Sequence, residues 1–72
     1  MTTKLQELTK DWGYATPEDM MEDYIFEGIS PAICMTDGCG YTTEMEPDQD
    51  RGWCEVCGKN SMKSAFILAG VI

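Results

Sequence analysis

Two short segments of the chain each contain a close pair of cysteines: CMTDGCG at residues 34–40 and CEVCG at residues 54–58. Four residues separate the cysteines of the first pair, two separate those of the second, and fourteen lie between the pairs. Two such pairs at a strand–turn–strand distance are typical of a site in which four thiolates hold one Zn²⁺ ion tetrahedrally. A glycine follows each pair and permits the positive φ that such turns often require. The spacing predicts one structural zinc site with four ligands: Cys34, Cys39, Cys54 and Cys57.

The composition indicates that the chain needs such an ion in order to fold. Only twelve of its 72 residues are Leu, Ile, Val or Phe, and its formal charge is −8. Chains with less than about 20% of these residues and a strong charge imbalance are normally disordered. Domains this short also bury too little surface to fold comfortably without a metal or disulfides. We therefore expect the metal to supply most of the folding free energy.

Two disulfides are the alternative interpretation, and four cysteines allow three pairings. A bridge between Cys54 and Cys57 would close a tight and easily reduced loop. The first residues contain no apolar stretch of the kind found in signal peptides, so we expect a cytoplasmic location, where disulfides are rare. These arguments favour the metal.

Charge and residue types exclude several functions. The chain has thirteen acidic residues, five basic residues and no histidine. An acidic surface repels phosphate backbones, so we expect no direct nucleic-acid binding and instead a partner protein with a basic surface. No segment reaches the roughly 20 apolar residues of a membrane span. A zinc ion with four protein ligands leaves no position for a reactive water, so we expect no enzymatic activity.

The sequence of the first third of the chain predicts two short helices, at residues 4–12 and 17–27. Thr3 and Gln6 fit a capping box before the first helix. Thr16 followed by proline is a typical start for the second. Together they predict a helical hairpin.

The remainder predicts strands separated by a polar turn. Residues 41–45 and 61–66 are expected to be strands, and residues 46–52 contain turn-forming residues. Ser30-Pro31 is interpreted as a linker. The apolar tail at residues 65–72 is compatible with either a strand or a short helix.

The second half of the chain resembles a zinc ribbon. The resemblance rests on CGYTT at residues 39–43 and GWCEVCG at residues 52–58, and it covers about residues 32–66. It implies two metal-binding turns, or knuckles, that lead into a small antiparallel sheet. Zinc ribbons are mostly structural and binding modules of transcription, translation and assembly factors, so the resemblance implies architecture more than activity. The whole chain also resembles small bacterial and phage zinc-ribbon proteins of uncharacterised function.

A weaker resemblance is to rubredoxin, in which four cysteines hold an iron ion that carries electrons. CGY at residues 39–41 and WCEVCG at residues 53–58 are similar to its two iron-binding segments. The first loop is two residues longer than in rubredoxin, Glu55 replaces the usual proline, and the segment between the pairs is too short. Four thiolates bind either metal, so iron stays an alternative.

We therefore predict a small, metal-stabilised α+β fold. Residues 1–31 would form the helical hairpin and residues 32–72 a zinc-ribbon module, within one compact domain. The expected function is that of a non-enzymatic zinc-binding adaptor or regulator acting through protein–protein contacts. A rubredoxin-like electron carrier and a nucleic-acid-associated zinc ribbon are the alternatives.

Two aromatic residues carry more specific expectations. Trp53, next to Cys54, is predicted to be a buried plate that shields the metal. Phe26 lies off the apolar stripe of its helix, where it would either pack on the ribbon or form an exposed anchor for a partner. We favour packing.

Overall fold

The computed structural model describes residues 3–71, which form three helices and a four-stranded antiparallel sheet. The elements, in chain order, are α1 (Lys4–Asp11), α2 (Pro17–Tyr24), β1 (Ser30–Cys34), β2 (Thr42–Met45), β3 (Gly52–Cys54), β4 (Lys59–Ser64) and α3 (Ala65–Leu68). The strand order is β2-β1-β4-β3. The predicted small α+β class and the antiparallel sheet are confirmed. The division between residues 31 and 32 stays a prediction.

Both N-terminal helices begin where their capping residues predict. The Thr3 hydroxyl accepts a hydrogen bond from the Gln6 N–H at 3.1 Å, and the Gln6 side chain accepts one from the Thr3 N–H at 2.9 Å. The Thr16 hydroxyl accepts one from the Asp19 N–H at 3.2 Å. These bonds satisfy amide groups that the first turn leaves unpaired. Within residues 3–71, no helix is long and apolar enough to cross a membrane.

The second helix ends three residues earlier than expected. Beyond Tyr24 the chain tightens, since the Glu27 N–H donates to the carbonyl of Tyr24, three residues back. Gly28 then reverses the chain with a φ of +72°. Phe26 therefore lies in a turn, not on a helix, and its side chain is 94% exposed. The preferred prediction that Phe26 packs on the ribbon is wrong, because the turn directs it away from the protein.

β1 is the element that the sequence interpretation missed. Ser30 and Pro31 are not a linker but the start of this strand, and both are buried. β1 lies between β2 and β4, and proline has no N–H to donate to a neighbouring strand. Pro31 is tolerated because β1 pairs with β4 only from Ala32 onward. No residue of β4 therefore needs a hydrogen bond from residue 31.

β1 separates two buried clusters. Ile33 faces one side, where it packs with one residue from each helix: Leu8, Met20 and Ala65. Its neighbours in the strand, Ala32 and Cys34, face the other side and pack with Cys54 and Met62. This alternation follows from the two-residue period of a strand. The helices therefore cover one face of the sheet, and buried cysteines lie on the other.

α1 and α2 are joined near their ends by two side-chain contacts. The Tyr14 hydroxyl donates a hydrogen bond to the Asp23 carboxylate at 2.7 Å. This hydrogen bond, with burial and the negative charge of Asp23, raises the pKa of Tyr14 to about 12. The rings of Trp12 and Tyr24 meet edge to face, with centroids 6.0 Å apart. These contacts hold α2 against the end of α1.

The strand predicted at residues 61–66 ends at Ser64, and the next four residues form α3. The Ser64 hydroxyl accepts a hydrogen bond from the Ile67 N–H at 3.2 Å, as an N-terminal cap does. The Ser64 hydroxyl also donates to the carbonyl of Pro47. Within residues 65–71, the apolar tail begins as a short helix because this serine terminates the strand.

Candidate metal centre

The structure brings all four predicted cysteines together. Cys34 ends β1 and Cys54 ends β3, while Cys39 and Cys57 lie in the turns that follow these strands. Their sulfur atoms all lie within 4.8 Å of one another. Two of the separations join one knuckle to the other, at 3.6 Å for Cys34–Cys57 and 3.6 Å for Cys39–Cys54. Residues distant in sequence therefore present four sulfurs to one point.

These separations fit a metal ion and not disulfides. Sulfurs about 2.3 Å from a tetrahedral Zn²⁺ lie about 3.8 Å apart, whereas disulfide sulfurs are about 2.05 Å apart. All four cysteines are free. The four cysteines are thus positioned to hold a metal ion, in an arrangement compatible with a zinc-ribbon-like motif.

The two knuckles are tight turns that use glycine as the sequence predicts. Gly40 and Gly58, which follow the second cysteine of each pair, have φ values of +65° and +72°. The Gly58 N–H donates to the carbonyl of Cys54 at 2.8 Å, which closes the second knuckle. A side chain at either position would be strained in this backbone region. The glycines therefore allow each pair of sulfurs to point to one side.

Both ends of α1 form hydrogen bonds with residues in or next to the first knuckle. The Lys4 ammonium donates to the carbonyl of Thr36 at 3.4 Å. At the other end of the helix, the Thr42 hydroxyl donates to the carboxylate of Asp11 at 2.9 Å. These contacts connect the helical part of the chain to the loop that carries Cys39.

Two hydroxyl groups beside the sulfurs were not found by sequence reasoning. Ser61 Oγ lies 3.0 Å from Cys34 Sγ and accepts a hydrogen bond from the Thr36 hydroxyl at 3.2 Å. Since Thr36 donates to Ser61, the Ser61 proton is free to point at the sulfur. Thr36 Oγ1 also lies 3.7 Å from Cys57 Sγ. No spacing rule marks these residues, because strand pairing is what places Ser61 of β4 beside the end of β1.

Because their surroundings differ, the thiols have different pKa values. Burial alone would raise the pKa of Cys34, but hydrogen bonds from the Ser61 hydroxyl and the Thr36 backbone outweigh it and lower that pKa to about 6. At Cys57 too, burial raises the pKa. Hydrogen bonding with Thr36 outweighs burial, so the pKa of Cys57 is lowered.

The pKa of Cys39 shows how strongly the four sulfurs affect one another. The backbone of Tyr41 lowers the pKa of Cys39, but burial and the three neighbouring cysteines prevail and raise it to about 11. Four thiolates this close repel one another unless a cation lies among them. Metal binding at neutral pH therefore displaces protons, and metal affinity rises with pH.

The predicted shield over the metal is not formed by Trp53. Its side chain is 58% exposed, and this prediction is wrong. The neighbours of Trp53 in β3, Gly52 and Cys54, are buried, so strand alternation directs the indole to the opposite side. A different contact links the knuckles, since the Tyr41 hydroxyl donates to the Glu55 carboxylate.

Ser61→Ala is expected to weaken metal binding by about 10- to 100-fold, the usual effect of removing a group that supports a metal ligand. Alanine removes a hydroxyl that stabilises the Cys34 thiolate, so a proton competes better with the metal. Competition with a chromophoric chelator at pH 7 measures the affinity. Asn60→Ala is the control, since Asn60 is an exposed residue of the same strand. Equal affinities for the Ser61→Ala and control variants would contradict the assigned role of Ser61.

Comparison with known proteins identifies no relative that indicates a function. No protein-family profile, no curated protein and no solved structure matches this chain. The metal centre is therefore identified by the geometry of its four sulfurs alone.

Proposed function

We propose that this chain is a zinc-stabilised, non-enzymatic adaptor or regulator that binds a partner protein with a basic surface. The observation that carries the proposal is the cluster of four sulfurs within 4.8 Å. Four cysteine ligands complete the coordination of a structural Zn²⁺ and leave no position for a substrate or a reactive water. The metal would hold the two knuckles together and supply no chemistry.

The finer architecture belongs to the same proposal. Residues 32–66 would act as a zinc ribbon, with the two knuckles leading into the sheet, and α1 and α2 would act as a helical hairpin attached to it. The contacts of Lys4 with Thr36 and of Thr42 with Asp11 support this, because they couple the first helix to the first knuckle.

The proposed partner follows from charge. The chain carries thirteen acidic and five basic residues. In the described part of the chain, the only ion pair is that between Lys4 and Glu7. Most carboxylates are therefore available to attract a basic protein surface, which speeds association and selects the partner.

Affinity capture from the native host tests the proposal. Tagged, zinc-loaded protein should retain a basic protein, with recovery falling as salt rises from 50 to 300 mM, because screening weakens exposed charge pairs (about 10 Å Debye length at 0.1 M). The metal-free chain is the control. Failure to retain any protein above that control contradicts the proposal.

Metal analysis and nuclease treatment separate the two alternatives. Elemental analysis of the purified protein is expected to give one zinc per chain. Red, iron-loaded protein with reversible reduction would favour the rubredoxin-like electron carrier. A captured complex that dissociates on nuclease treatment would favour a nucleic-acid-associated function.

A further inference from the structure

An apolar groove lies between α2 and the C-terminal segment. Its volume is about 270 Å³, and its floor and walls are formed by Met21, Ile25, Phe66 and Val71. Two carboxylates of α2, those of Glu18 and Glu22, line it as well. We call this feature the α2 groove. It lies apart from the metal centre, since none of the four cysteines lines it.

The α2 groove leaves large apolar side chains in contact with water. Ile25 is 59% exposed and Val71 is 64% exposed. Contiguous exposed apolar surface with a polar rim is typical of a binding site, whereas single exposed apolar residues are ordinary. An occupant of this one concavity would cover both side chains and remove their apolar surface from water.

Charge restricts what that occupant can be. α2 has the sequence PEDMMEDY, with four carboxylates and no Lys or Arg. Two of those carboxylates stand one helical turn apart at the groove itself. An occupant with apolar side chains flanked by Lys or Arg complements both the lining and the rim.

The walls of the groove also restrict the occupant's backbone. One wall is the helix α2, and Phe66 in the other belongs to the helix α3. The backbone groups in the interior of α2 are hydrogen-bonded within the helix. In α3, the carbonyl of Phe66 already accepts a hydrogen bond from the Val71 N–H at 3.1 Å. These walls therefore offer few partners to an extended strand. A segment that satisfies its own backbone, namely a helix, fits better.

We infer that the α2 groove binds a basic amphipathic helix of the partner protein. This inference rests on the proposed adaptor function and assigns the surface through which it acts. A second copy of this chain fits poorly, because a symmetric contact would bring the Glu18 and Glu22 carboxylates of both copies together. An anionic membrane surface would repel the same carboxylates.

A synthetic helical peptide provides the probe. It has 16 residues, with Leu at positions i, i+3, i+4 and i+7 and Lys at most other positions; a matched peptide carries Glu in place of every Lys. Titration of ¹⁵N-labelled, zinc-loaded protein is followed by NMR. The Lys peptide is expected to shift the amide signals of Met21, Ile25 and Val71, and the Glu peptide to leave them unchanged.

Variants of exposed residues test the apolar contact. Ile25→Ser and Val71→Ser are each expected to raise the dissociation constant about tenfold. Val56→Ser is the matched control, since Val56 is 63% exposed but lies in the second knuckle, outside the groove. The Co²⁺ absorption spectrum of each variant verifies that the fold is retained.

Variants of the rim test the charge contact. The double substitution Glu18→Gln and Glu22→Gln is expected to weaken binding of the Lys peptide about three- to tenfold at low salt and to reduce the salt dependence. Asp48→Asn with Asp50→Asn is the control, because these carboxylates lie in the turn between β2 and β3.

Several results would overturn the inference. These are equal binding of both peptides, unchanged binding by the Ile25 and Val71 variants, or amide shifts centred on Trp53 and Val56. Dimerisation that Ile25→Ser abolishes would assign the groove to a second copy, and vesicle binding that Ile25→Ser abolishes would assign it to a membrane.

If the captured host protein binds Ile25→Ser as tightly as the unaltered chain, the groove assignment fails while the adaptor function stands. If no host protein is captured, the adaptor function itself fails.

Discussion

Cys57→Ser, or removal of the metal by a chelator, is expected to abolish the cooperative fold of this protein. The metal-free and variant chains should lose near-ultraviolet circular dichroism and the dispersion of their NMR signals, and should show no thermal transition. This is the largest effect that we expect of any single change, because a structural metal contributes more stabilisation than the small apolar core of so short a chain.

The packing explains why. Cys34 and Cys54 form half of the buried cluster on their side of the sheet; Ala32 and Met62 are its other buried members, and Tyr41 and Met45 pack against it partly buried. Without a bound cation the pKa of Cys39 rises to about 11, so the four thiols cannot all ionise at neutral pH. Structural zinc contributes about 10–16 kcal/mol in small zinc-binding peptides, whereas the apolar core of a domain this short supplies about 3–5 kcal/mol. Loss of the larger contribution leaves the chain unfolded.

Val56→Ser is the control for this prediction. Val56 neighbours Cys57 in the same turn but is 63% exposed, so its substitution should leave the melting temperature nearly unchanged. A sharp thermal transition of the unaltered protein in excess chelator would contradict the prediction.

Leu8→Ala is expected to destabilise the zinc-loaded protein by about 2–5 kcal/mol, the usual cost of a large-to-small change in a core. Leu8 is fully buried, and it packs with one residue from each of three other elements: Met20 of α2, Ile33 of β1 and Ala65 of α3. Removal of three carbon atoms leaves a cavity where these elements meet. Urea denaturation at a fixed concentration of free zinc measures the loss.

The same variant separates the two faces of the sheet. Leu8 lies on the helical face, while the four sulfurs cluster on the other, so the Co²⁺ absorption spectrum of Leu8→Ala should match that of the unaltered protein. Val71→Ala, at a site that is 64% exposed, should change stability by less than about 0.5 kcal/mol. A loss below that value for Leu8→Ala would show that the helices contribute little to the fold.

Local signals predicted local structure well. The caps at Thr3 and Thr16 place the starts of α1 and α2 because each cap satisfies amide groups within four residues of itself. The cysteine–glycine pairs likewise predict the knuckle turns, since a positive φ at Gly40 and Gly58 is a property of a few neighbouring residues. In each case the interaction that decides the conformation lies within a short stretch of chain.

Predictions from the sequence were wrong where the outcome depends on residues distant in the chain. Ser30 and Pro31 resemble a linker because proline and serine favour irregular chain, yet strand β2 recruits them into a sheet. The position of Trp53 next to Cys54 predicts a buried plate that shields the metal, but the alternation of β3 leaves its side chain 58% exposed. The prediction that Phe26 packs on the ribbon assumes a helix through residue 27, but α2 ends at Tyr24, two residues before Phe26.

The amino-acid sequence alone therefore determined which residues form turns, which cap helices and which are candidate metal ligands. Each of these properties depends on the residue itself and on a few neighbours in the chain. Tertiary structure alone decided that β1 divides the core, that Ser61 reaches Cys34, and that an apolar groove opens beside α2. These features arise from strand register and helix packing, in which the partners of a residue lie tens of positions away and are selected by the burial of the whole chain.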